Sequence, residues 1–287
     1  MKCSLFKKPF GTSKTEILCN FEVNSVVQDF CACGDFGFLF LSDGYIGKIN
    51  TKNEVIFPWI RDINEASSLC YVENRKSCYV VGGAGRCIGE VRLSDGNFSL
   101  VLCGSVLESK IGHHFSKTPK IDNNITAITF TEGGIFYWVS AQLNKCFCYK
   151  NNDLSVFMGN GRAGYSLSNN PQSCMLDSPS GLTSYKDRIY ICDNNHCIRA
   201  VDSDGIKIVA GHPYERGDRG GMVGDSLLDS PSKIKKGKHS AYFIDCGKIK
   251  SLLFANNMVK EVLSVEGVMG LDVGKNQDIY IIGETKL

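Results

Sequence analysis

The chain has 287 residues, of which 43% are hydrophobic and 22% charged, and its formal net charge is +2. A length and composition of this kind can bury a sizeable core, which argues against a disordered chain. A charge so close to zero provides no field that would attract the protein to nucleic acid or to a membrane surface. The 30 glycines and only 7 prolines are typical of many tight turns between short strands.

The sequence predicts an intracellular protein, located in the cytoplasm or the nucleus. No stretch approaches about 18 consecutive apolar residues, so no membrane span is predicted. Residues 1–14 carry four lysines but no apolar run of signal-peptide length. The 14 cysteines are therefore interpreted as reduced thiols rather than as a disulfide framework.

In chain order, short apolar and β-branched segments separated by turn residues predict strands throughout the sequence. Two segments come first and stand apart from the groups that follow, namely Lys2–Phe6 and Thr15–Phe21. The next groups comprise Val26 through Gly37–Leu41, Ile46–Asn50 and Val55–Ile56; Ser67–Val72, Ser77–Val81, Cys87–Val91 and Phe98–Cys103; and Ile125–Phe130, Gly134–Val139, Lys145–Lys150 and Leu154–Met158. The last groups comprise Gly181–Thr183, Arg188–Cys192, His196–Val201 and Ile206–Ala210; Lys233–Lys235, Ala241–Asp245, Ile249–Phe254 and Lys260–Ser264; and Val268–Val273 with Asp278–Ile282.

An internal repeat indicates how these strands are grouped. The pentapeptide Leu-Asp-Ser-Pro-Ser occurs at Leu176–Ser180 and again at Leu228–Ser232, 52 residues later, and Gly159 and Gly211 keep the same offset. Four short strands in a unit of about 40–50 residues are typical of a β-propeller blade.

The final group contains only two strands, and the two N-terminal segments supply the missing pair. The sequence therefore predicts an all-β fold: one six-bladed β-propeller domain spanning residues 1–287, with the ring closed by N-terminal strands that complete the C-terminal blade. Closure removes the open sheet edges that would otherwise pair with other molecules.

The segment Ser178–Gly211 resembles the NHL repeat. The positions that carry the resemblance are Pro179, Gly181, Asp193, Asn195-His196, Arg199, Gly205 and Ala210-Gly211, and the match extends to Pro231. Elsewhere the pattern is weaker: Asp43 and Asp245 are assigned to the strand-end Asp position, with Gly82 or Ser140 nearby in other blades. The resemblance implies a propeller and, as for most NHL propellers, a binding platform for protein or RNA. It also implies a less common alternative, a lyase or hydrolase with a metal in the central channel.

Two residues of this motif, His196 and Asp193, belong to residue types that act in the active sites of many enzymes. His196 is interpreted as a structural residue that packs and bonds locally, and Asp193 as an acceptor for backbone N–H groups of the following turn. No catalytic residue is assigned. The other motif positions are given structural roles as well: Pro179, Gly181, Arg199, Gly211 and Pro231.

The cysteines do not show the spacing of a structural zinc site. The sequence contains Cys31-x-Cys33 and Cys146-x-Cys148 but no Cys-x-x-Cys. Four cysteines are predicted to share one position at the start of a third strand, where a small apolar side chain packs well: Cys3, Cys87, Cys146 and Cys197. The thiols are thus predicted to be buried, and no metal ligand is assigned.

Three long connections between blades, Gly104–Asn124, Gly159–Asp177 and Gly211–Asp229, are predicted to emerge on one face of the ring, which we call the loop face. Long loops are often functional, and Arg and Tyr are common at interface hot spots. The candidate binding residues are His113, His114, Phe115, Arg162, Tyr165, His212, Tyr214, Arg216 and Arg219. That these are ordinary solvated loops is an alternative left open by the sequence.

The predicted function is a non-catalytic interaction platform: a monomer that binds a protein or peptide on the loop face. The charges of the three loops nearly cancel, so they do not supply the basic surface that phosphate binding needs. The basic run 233–239 is interpreted as a solvated edge. No cofactor is predicted. Two alternatives remain: a metal-dependent hydrolase or lyase with a divalent metal in the central channel, and an RNA-binding NHL propeller.

Overall fold

The structure is a computed structural model, and the chain forms a six-bladed β-propeller. The described residues contain twenty-four strands, which assemble into six antiparallel sheets of four strands each, the blades. The predicted fold class is confirmed. The residues that the structure describes are 1–42, 44–60, 63, 66–82, 87–103, 125–151, 153–265 and 267–285.

In each blade the first strand lies beside the central channel and the fourth lies at the outer edge. Blade 1 comprises β3 (Val27–Ala32), β4 (Phe38–Ser42), β5 (Tyr45–Ile49) and β6 (Val55–Ile60). Blade 2 comprises β7 (Ser68–Val72), β8 (Ser77–Gly82), β9 (Cys87–Arg92) and β10 (Phe98–Cys103). Blade 3 comprises β11 (Ala127–Phe130), β12 (Phe136–Ser140), β13 (Lys145–Lys150) and β14 (Asp153–Met158).

The remaining blades include the one that closes the ring. Blade 4 comprises β15 (Gly181–Tyr185), β16 (Arg188–Asp193), β17 (Cys197–Asp202) and β18 (Gly205–Gly211). Blade 5 comprises β19 (Ser232–Lys236), β20 (Ser240–Asp245), β21 (Lys248–Leu253) and β22 (Val259–Ser264). Blade 6 comprises β23 (Val268–Val273), β24 (Ile279–Glu284), β1 (Lys2–Lys8) and β2 (Glu16–Glu22). Because β24 pairs with β1, with Leu5 opposite Ile282, the predicted closure by the N-terminal strands is confirmed.

Strand direction alternates within each blade, so the connections alternate between the two faces of the ring. The two described long connections between blades, 159–177 and 211–229, lie on the loop face, together with the described turns between second and third strands. The opposite face, which we call the turn face, carries the turns between first and second strands. Among these are the 3₁₀ turns Gly34–Phe36 and Glu73–Arg75; a third 3₁₀ turn, Pro171–Ser173, lies on the loop-face side. None of the helical segments in the described residues is long and apolar enough to cross a bilayer.

The core lies between neighbouring blades. Side chains alternate across each strand, so apolar residues reach both adjoining blades. Between blades 4 and 5, for example, Tyr190 and Cys192 pack with Phe243 and Leu252, and all four are at most 1% exposed. Similar clusters join the other pairs of blades. Each blade is therefore stabilised mainly by its neighbours.

The strand-end Asp position differs from the prediction in blade 1. Ser42 lies opposite Tyr45, just as Asp193 lies opposite Cys197 in blade 4. Ser42 therefore takes this position, and Asp43 lies outside the described residues. Asp245 does occupy it in blade 5, opposite Lys248.

The cysteine prediction is partly wrong. Cys3, Cys87 and Cys197 each lie opposite the last residue of a second strand. Cys146 lies opposite Val139, one residue before the strand end, because Lys145 takes the position opposite the strand-end residue Ser140. All four thiols are buried, as predicted.

Candidate functional site

Two of the three predicted loops, Gly159–Asp177 and Gly211–Asp229, are described, and they begin in the same way. Gly159 has φ 98° and Gly211 has φ 77°. A Cβ there would lie 2.3 Å from the Asn144 carbonyl oxygen and 2.1 Å from that of His196. Only glycine fits such a position, which explains why both markers recur at the same offset. His113, His114 and Phe115 of the third loop lie outside the described residues.

In blade 4 a buried ion pair holds the incoming loop. Arg199 Nη2 lies 2.6 Å from Asp193 Oδ2, and both side chains are 0% exposed. Neither atom has another hydrogen-bond partner among the described residues. Asp193 Oδ1 accepts the backbone N–H of Asp177 at 2.9 Å. Arg199 Nη1 donates to the carbonyl oxygens of Met175 at 2.8 Å and Ser166 at 3.1 Å. The pair therefore fixes the loop in its middle and at its C-terminal end. Burial raises the pKa of Asp193, and the guanidinium of Arg199 opposes that shift.

Blade 5 has a lysine in the corresponding place. Lys250 Nζ lies 2.6 Å from Asp245 Oδ2 and 2.7 Å from Asp218 Oδ1. Asp245 Oδ1 accepts the backbone N–H groups of Asp229 and Ser230, both at 2.9 Å. Asp218 stands 52 residues after Ser166, so the ammonium binds a loop carboxylate where Arg199 binds a loop carbonyl. The hydrogen bonds from Lys248 and Lys250 lower the pKa of Asp218.

The motif histidine and prolines lie at the junction of blades 4 and 5. His196 has a left-handed backbone conformation, φ 59°. It precedes β17, which begins at Cys197, so the prediction that the strand starts at His196 is wrong. Its Nδ1 hydrogen-bonds the carbonyl oxygen of Asp229. Ser180 Oγ donates to the carbonyl of Pro231 at 2.7 Å. A Cβ on Gly181 would lie 3.0 Å from the backbone nitrogen of Lys233, and Pro179 is buried.

The structure brings two of the predicted binding residues together. The rings of Tyr165 and Tyr214, one from each loop, meet edge to face with centroids 5.4 Å apart. The guanidinium carbon of Arg199 lies 4.6 Å from the centre of the Tyr165 ring. Tyr214 is 76% exposed. The pair thus forms an aromatic projection whose base is attached to the buried anchor of blade 4.

The other predicted binding residues in the described segments, Arg162, His212, Arg216 and Arg219, are exposed. No hydrogen bond, ion pair or ring contact joins them to this pair among the described residues. Arg216 Nε lies 2.5 Å from Asp229 Oδ1, and Arg219 Nε donates to the carbonyl of Asp225 at 2.7 Å. Arg162 is exposed, and only its backbone N–H, which donates to Asn160 Oδ1, has a described hydrogen bond. His212 is exposed in a turn with Glu215.

The central channel contains a second set of polar residues, which the sequence analysis did not identify. At its turn-face end lies a cavity of about 480 Å³. At the loop-face end the cavity is only about 20 Å³. Lys235 belongs to the lining of both cavities. The channel is therefore wide on the turn face and narrow on the loop face.

Two lysines of β19 cross this channel. Lys233 Nζ lies 3.6 Å from Asp29 Oδ1 in blade 1, and Lys235 Nζ donates to the carbonyl of Leu69 in blade 2 at 3.3 Å. The interpretation of the run 233–239 as a solvated edge is therefore wrong for these two. The alternation of Lys233, Ile234 and Lys235 along an innermost strand was the signal available in the sequence.

Two carboxylates in the channel join neighbouring inner strands. Asp29 Oδ2 accepts the N–H of Leu69 at 2.8 Å, and Asp272 Oδ2 accepts the N–H of Ala32 at 2.9 Å. Burial raises the pKa of Asp272. For Asp29 burial acts in the same direction, but the nearby lysines and backbone N–H groups produce a net lowering of the pKa.

Among the described residues, the one group of three potential metal ligands lies away from the channel. It consists of Asp218, Asp245 and Cys246. Lys250 binds both carboxylates, at 2.7 Å and 2.6 Å, so its ammonium group occupies the place that a metal ion would take. Burial raises the pKa of Cys246 to about 11, which keeps the thiol protonated near neutral pH.

No protein-family model and no curated protein sequence matches this chain. Solved structures do match it. A putative TolB from Agrobacterium tumefaciens has a TM-score of 0.63 at 9% identity, with 100% of this chain and 99% of that chain covered. An auxiliary nutrient binding protein from Bacteroides thetaiotaomicron VPI-5482 has a TM-score of 0.64 at 12% identity, with 99% and 77% covered. Virginiamycin B lyase from Staphylococcus aureus has a TM-score of 0.56 at 14% identity, with 94% and 85% covered. Likenesses at such low identity show a shared propeller fold, and the activities of these proteins do not transfer with it.

Proposed function

We propose that the chain is an NHL-type propeller that binds a protein or peptide partner on its loop face, around Tyr165 and Tyr214. The observation that supports this proposal is the contact between the two rings, since it joins loops from neighbouring blades and leaves Tyr214 76% exposed. Tyrosine presents a large amphipathic surface with few rotatable bonds, and it is enriched at binding hot spots.

The way the loops are held also favours binding. Each described loop is anchored to its blade by a buried carboxylate and a buried cation, Asp193 with Arg199 and Asp245 with Lys250. A surface that is ordered before association loses less conformational entropy when a partner binds. Arg162, whose exposed side chain has no hydrogen bond or ion pair among the described residues, extends the surface with a charged donor suited to acidic or carbonyl-rich segments of a partner.

The two alternatives have less support in the described residues. RNA binding needs unpaired basic groups, whereas Arg216 is paired with Asp229 and Arg219 donates to the Asp225 carbonyl.

A metal-dependent hydrolase needs an available ligand set in the channel. The buried carboxylates Asp29 and Asp272 accept backbone N–H groups, and Glu73 and Glu132, which also line the cavity, are paired with Lys275 and Lys236. The proposal therefore places the interaction platform first.

The experiment is an affinity capture from extract of the native cell, with the full chain as bait. Tyr214→Ala/Arg216→Ala/Arg219→Ala is compared with wild type. We expect a stoichiometric partner on the wild-type protein and its loss from the triple variant, because truncation of hot-spot side chains typically weakens binding by about 2 kcal/mol or more per residue.

A matched control removes exposed side chains from the turn-face side. Phe10 is 62% exposed, and the Arg92 side chain is 63% exposed in a surface pair with Asp95. The Phe10→Ala/Arg92→Ala variant is expected to retain the partner. A partner that is lost equally from both variants, or from neither, contradicts a binding site on the loop face.

A further inference from the structure

The cavity at the turn-face end of the channel has the size and composition of a small-molecule site. Its volume of about 480 Å³ falls within the range of about 300–1,000 Å³ that is typical of ligand pockets. Inner strands of several blades contribute apolar walls, including Val72, Ile128, Leu182 and Ile234. A few polar side chains converge among them, which is the combination that distinguishes a ligand pocket from a packed core.

Two of these polar side chains are threonines without a partner. Thr129 is 7% exposed and Thr183 is 4% exposed, and both line the cavity. Neither hydroxyl has a hydrogen bond to another described residue. Neither hydroxyl oxygen is among the fully buried unpartnered atoms, so both oxygens reach the cavity. A molecule bound there can supply the partners that polar groups in protein interiors normally have.

Lys235 provides the cation in the interior of this cavity. Glu73, Glu132 and Lys236 also line it, but they form exposed ion pairs, Lys236 with Glu132 at 3.6 Å and Glu73 with Lys275 at 2.7 Å. The Lys235 ammonium makes one hydrogen bond, a long one of 3.3 Å to the Leu69 carbonyl, and forms no ion pair with a described carboxylate. An ammonium has three donors, so two are free to bind a ligand. Burial opposes its charge, but the fields of Asp29 and Asp272 raise the pKa of Lys235 overall. The side chain is thus a cation and not a neutral nucleophile.

The two buried carboxylates near Lys235 accept hydrogen bonds from backbone N–H groups. Asp272 accepts backbone N–H groups from Ala32 at 2.9 Å and Val273 at 2.8 Å. Asp29 accepts those of Phe30 at 2.9 Å and Leu69 at 2.8 Å. Both groups hold the inner strands together, and their negative charge disfavours a ligand that carries more than one negative group. The free donors around Lys235 require an acceptor with a single charge.

We propose that this cavity binds a small monocarboxylate with an apolar body. The ligand carboxylate accepts hydrogen bonds from the Lys235 ammonium and from the hydroxyls of Thr129 and Thr183. Its hydrocarbon part packs against Cys70 and Val72, which line the cavity and are only partly buried. The site opens on the face opposite the Tyr165–Tyr214 pair, so it is independent of the proposed protein-binding surface.

Isothermal titration calorimetry of the full chain with hexanoate, and separately with hexanamide, tests the proposal. We expect saturable one-to-one binding of hexanoate and binding of the uncharged amide that is about tenfold weaker or more. Lys235→Met is expected to weaken hexanoate binding by a similar factor, since the replacement keeps the length of the side chain but removes the charge.

Two further variants keep the result interpretable. Thr129→Val/Thr183→Val preserves shape and charge, and we expect it to weaken hexanoate binding while circular dichroism shows an unchanged fold. Lys207→Met removes a lysine whose side chain is 54% exposed on β18, and it is expected to bind as wild type does. Absence of saturable hexanoate binding, equal binding of the amide, or wild-type affinity in both channel variants would overturn the proposal.

Discussion

Blades 4 and 5 each bind the loop that precedes them through a buried carboxylate and a buried cation, but the cations differ. In blade 4 the forked guanidinium of Arg199 reaches one carboxylate and two loop carbonyl oxygens. In blade 5 the single ammonium of Lys250 reaches two carboxylates, one of them supplied by the loop as Asp218. Guanidinium donors diverge in a plane, whereas an ammonium acts as a compact charge. A change of cation has therefore been accompanied by a change of acceptor in the loop.

The strand-end carboxylate is the constant part of the anchor in the two blades. Asp193 and Asp245 each accept a backbone N–H from the residue that follows the loop leucine, Asp177 or Asp229, at 2.9 Å. The cation neutralises that buried carboxylate, and the loop then adapts to the cation. A buried carboxylate without a partner is strongly destabilising.

The largest expected effect is that of removing the blade 4 cation. Arg199→Met leaves Asp193 buried without its partner, and we expect the free energy of unfolding to fall by about 3–5 kcal/mol. Urea denaturation followed by circular dichroism measures the change.

A surface pair in the same blade is the control. Arg188 Nε lies 2.6 Å from Asp202 Oδ2, but the Arg188 side chain is 38% exposed. We expect Arg188→Met to lower the free energy of unfolding by about 1 kcal/mol or less. Equal effects of the two substitutions would contradict a special role for the buried anchor.

The order of the strands and the closure of the ring were predictable from the sequence, because alternating apolar residues and turn residues mark strands locally. The loop anchors were only half predictable. The Asp–Arg motif of blade 4 stands out in the repeat, but Lys250 is displaced by one residue, since the turn before β21 is shorter than the one before β17. Arg199 and Lys250 can be matched only when the strand pairing within each blade is known, and the sequence alone does not reveal that pairing.

The channel was not predictable in the same way. Lys235 and Asp272 come from blades that are adjacent in the ring, while Lys235 reaches a carbonyl of blade 2 on the opposite side. Such contacts join segments far apart in the chain, and no local pattern encodes them. The contact between Tyr165 and Tyr214 depends likewise on how two loops fold over their anchors.

A smaller effect is expected from converting one anchor into the other. Arg199→Lys keeps the charge but loses the bonds to the loop carbonyls, so we expect a loss of about 1–2 kcal/mol in the free energy of unfolding. Adding Ser166→Asp places a carboxylate where blade 5 has Asp218, and we expect it to restore about 1 kcal/mol. Urea denaturation of the single and double variants measures this coupling. If Ser166→Asp gives the same change with Arg199 as with lysine, the two anchors are not equivalent.

The smallest expected effect is a difference between the loops in acid. Lys248 and Lys250 lower the pKa of Asp218, so its contribution to stability is complete above the ordinary pKa of an aspartate, about 3.9, and is lost as the pH falls through the folded-state value. The corresponding acceptors in blade 4 are carbonyl oxygens, which do not titrate. The raised pKa of Asp193 has the opposite sign, because protonation of that group favours the folded state.

Hydrogen exchange, corrected for the intrinsic pH dependence, measures this difference between segments 211–229 and 159–177. On going from about pH 6 to about pH 2.5, well below the ordinary pKa of an aspartate, we expect protection to decrease more in 211–229. The Asp218→Asn variant is expected to have lower protection in that segment already at about pH 6 and to show little further change in acid. An equal loss of protection in both segments, or an undiminished acid response in the variant, would mean that the loop carboxylate of blade 5 does not contribute to its anchor.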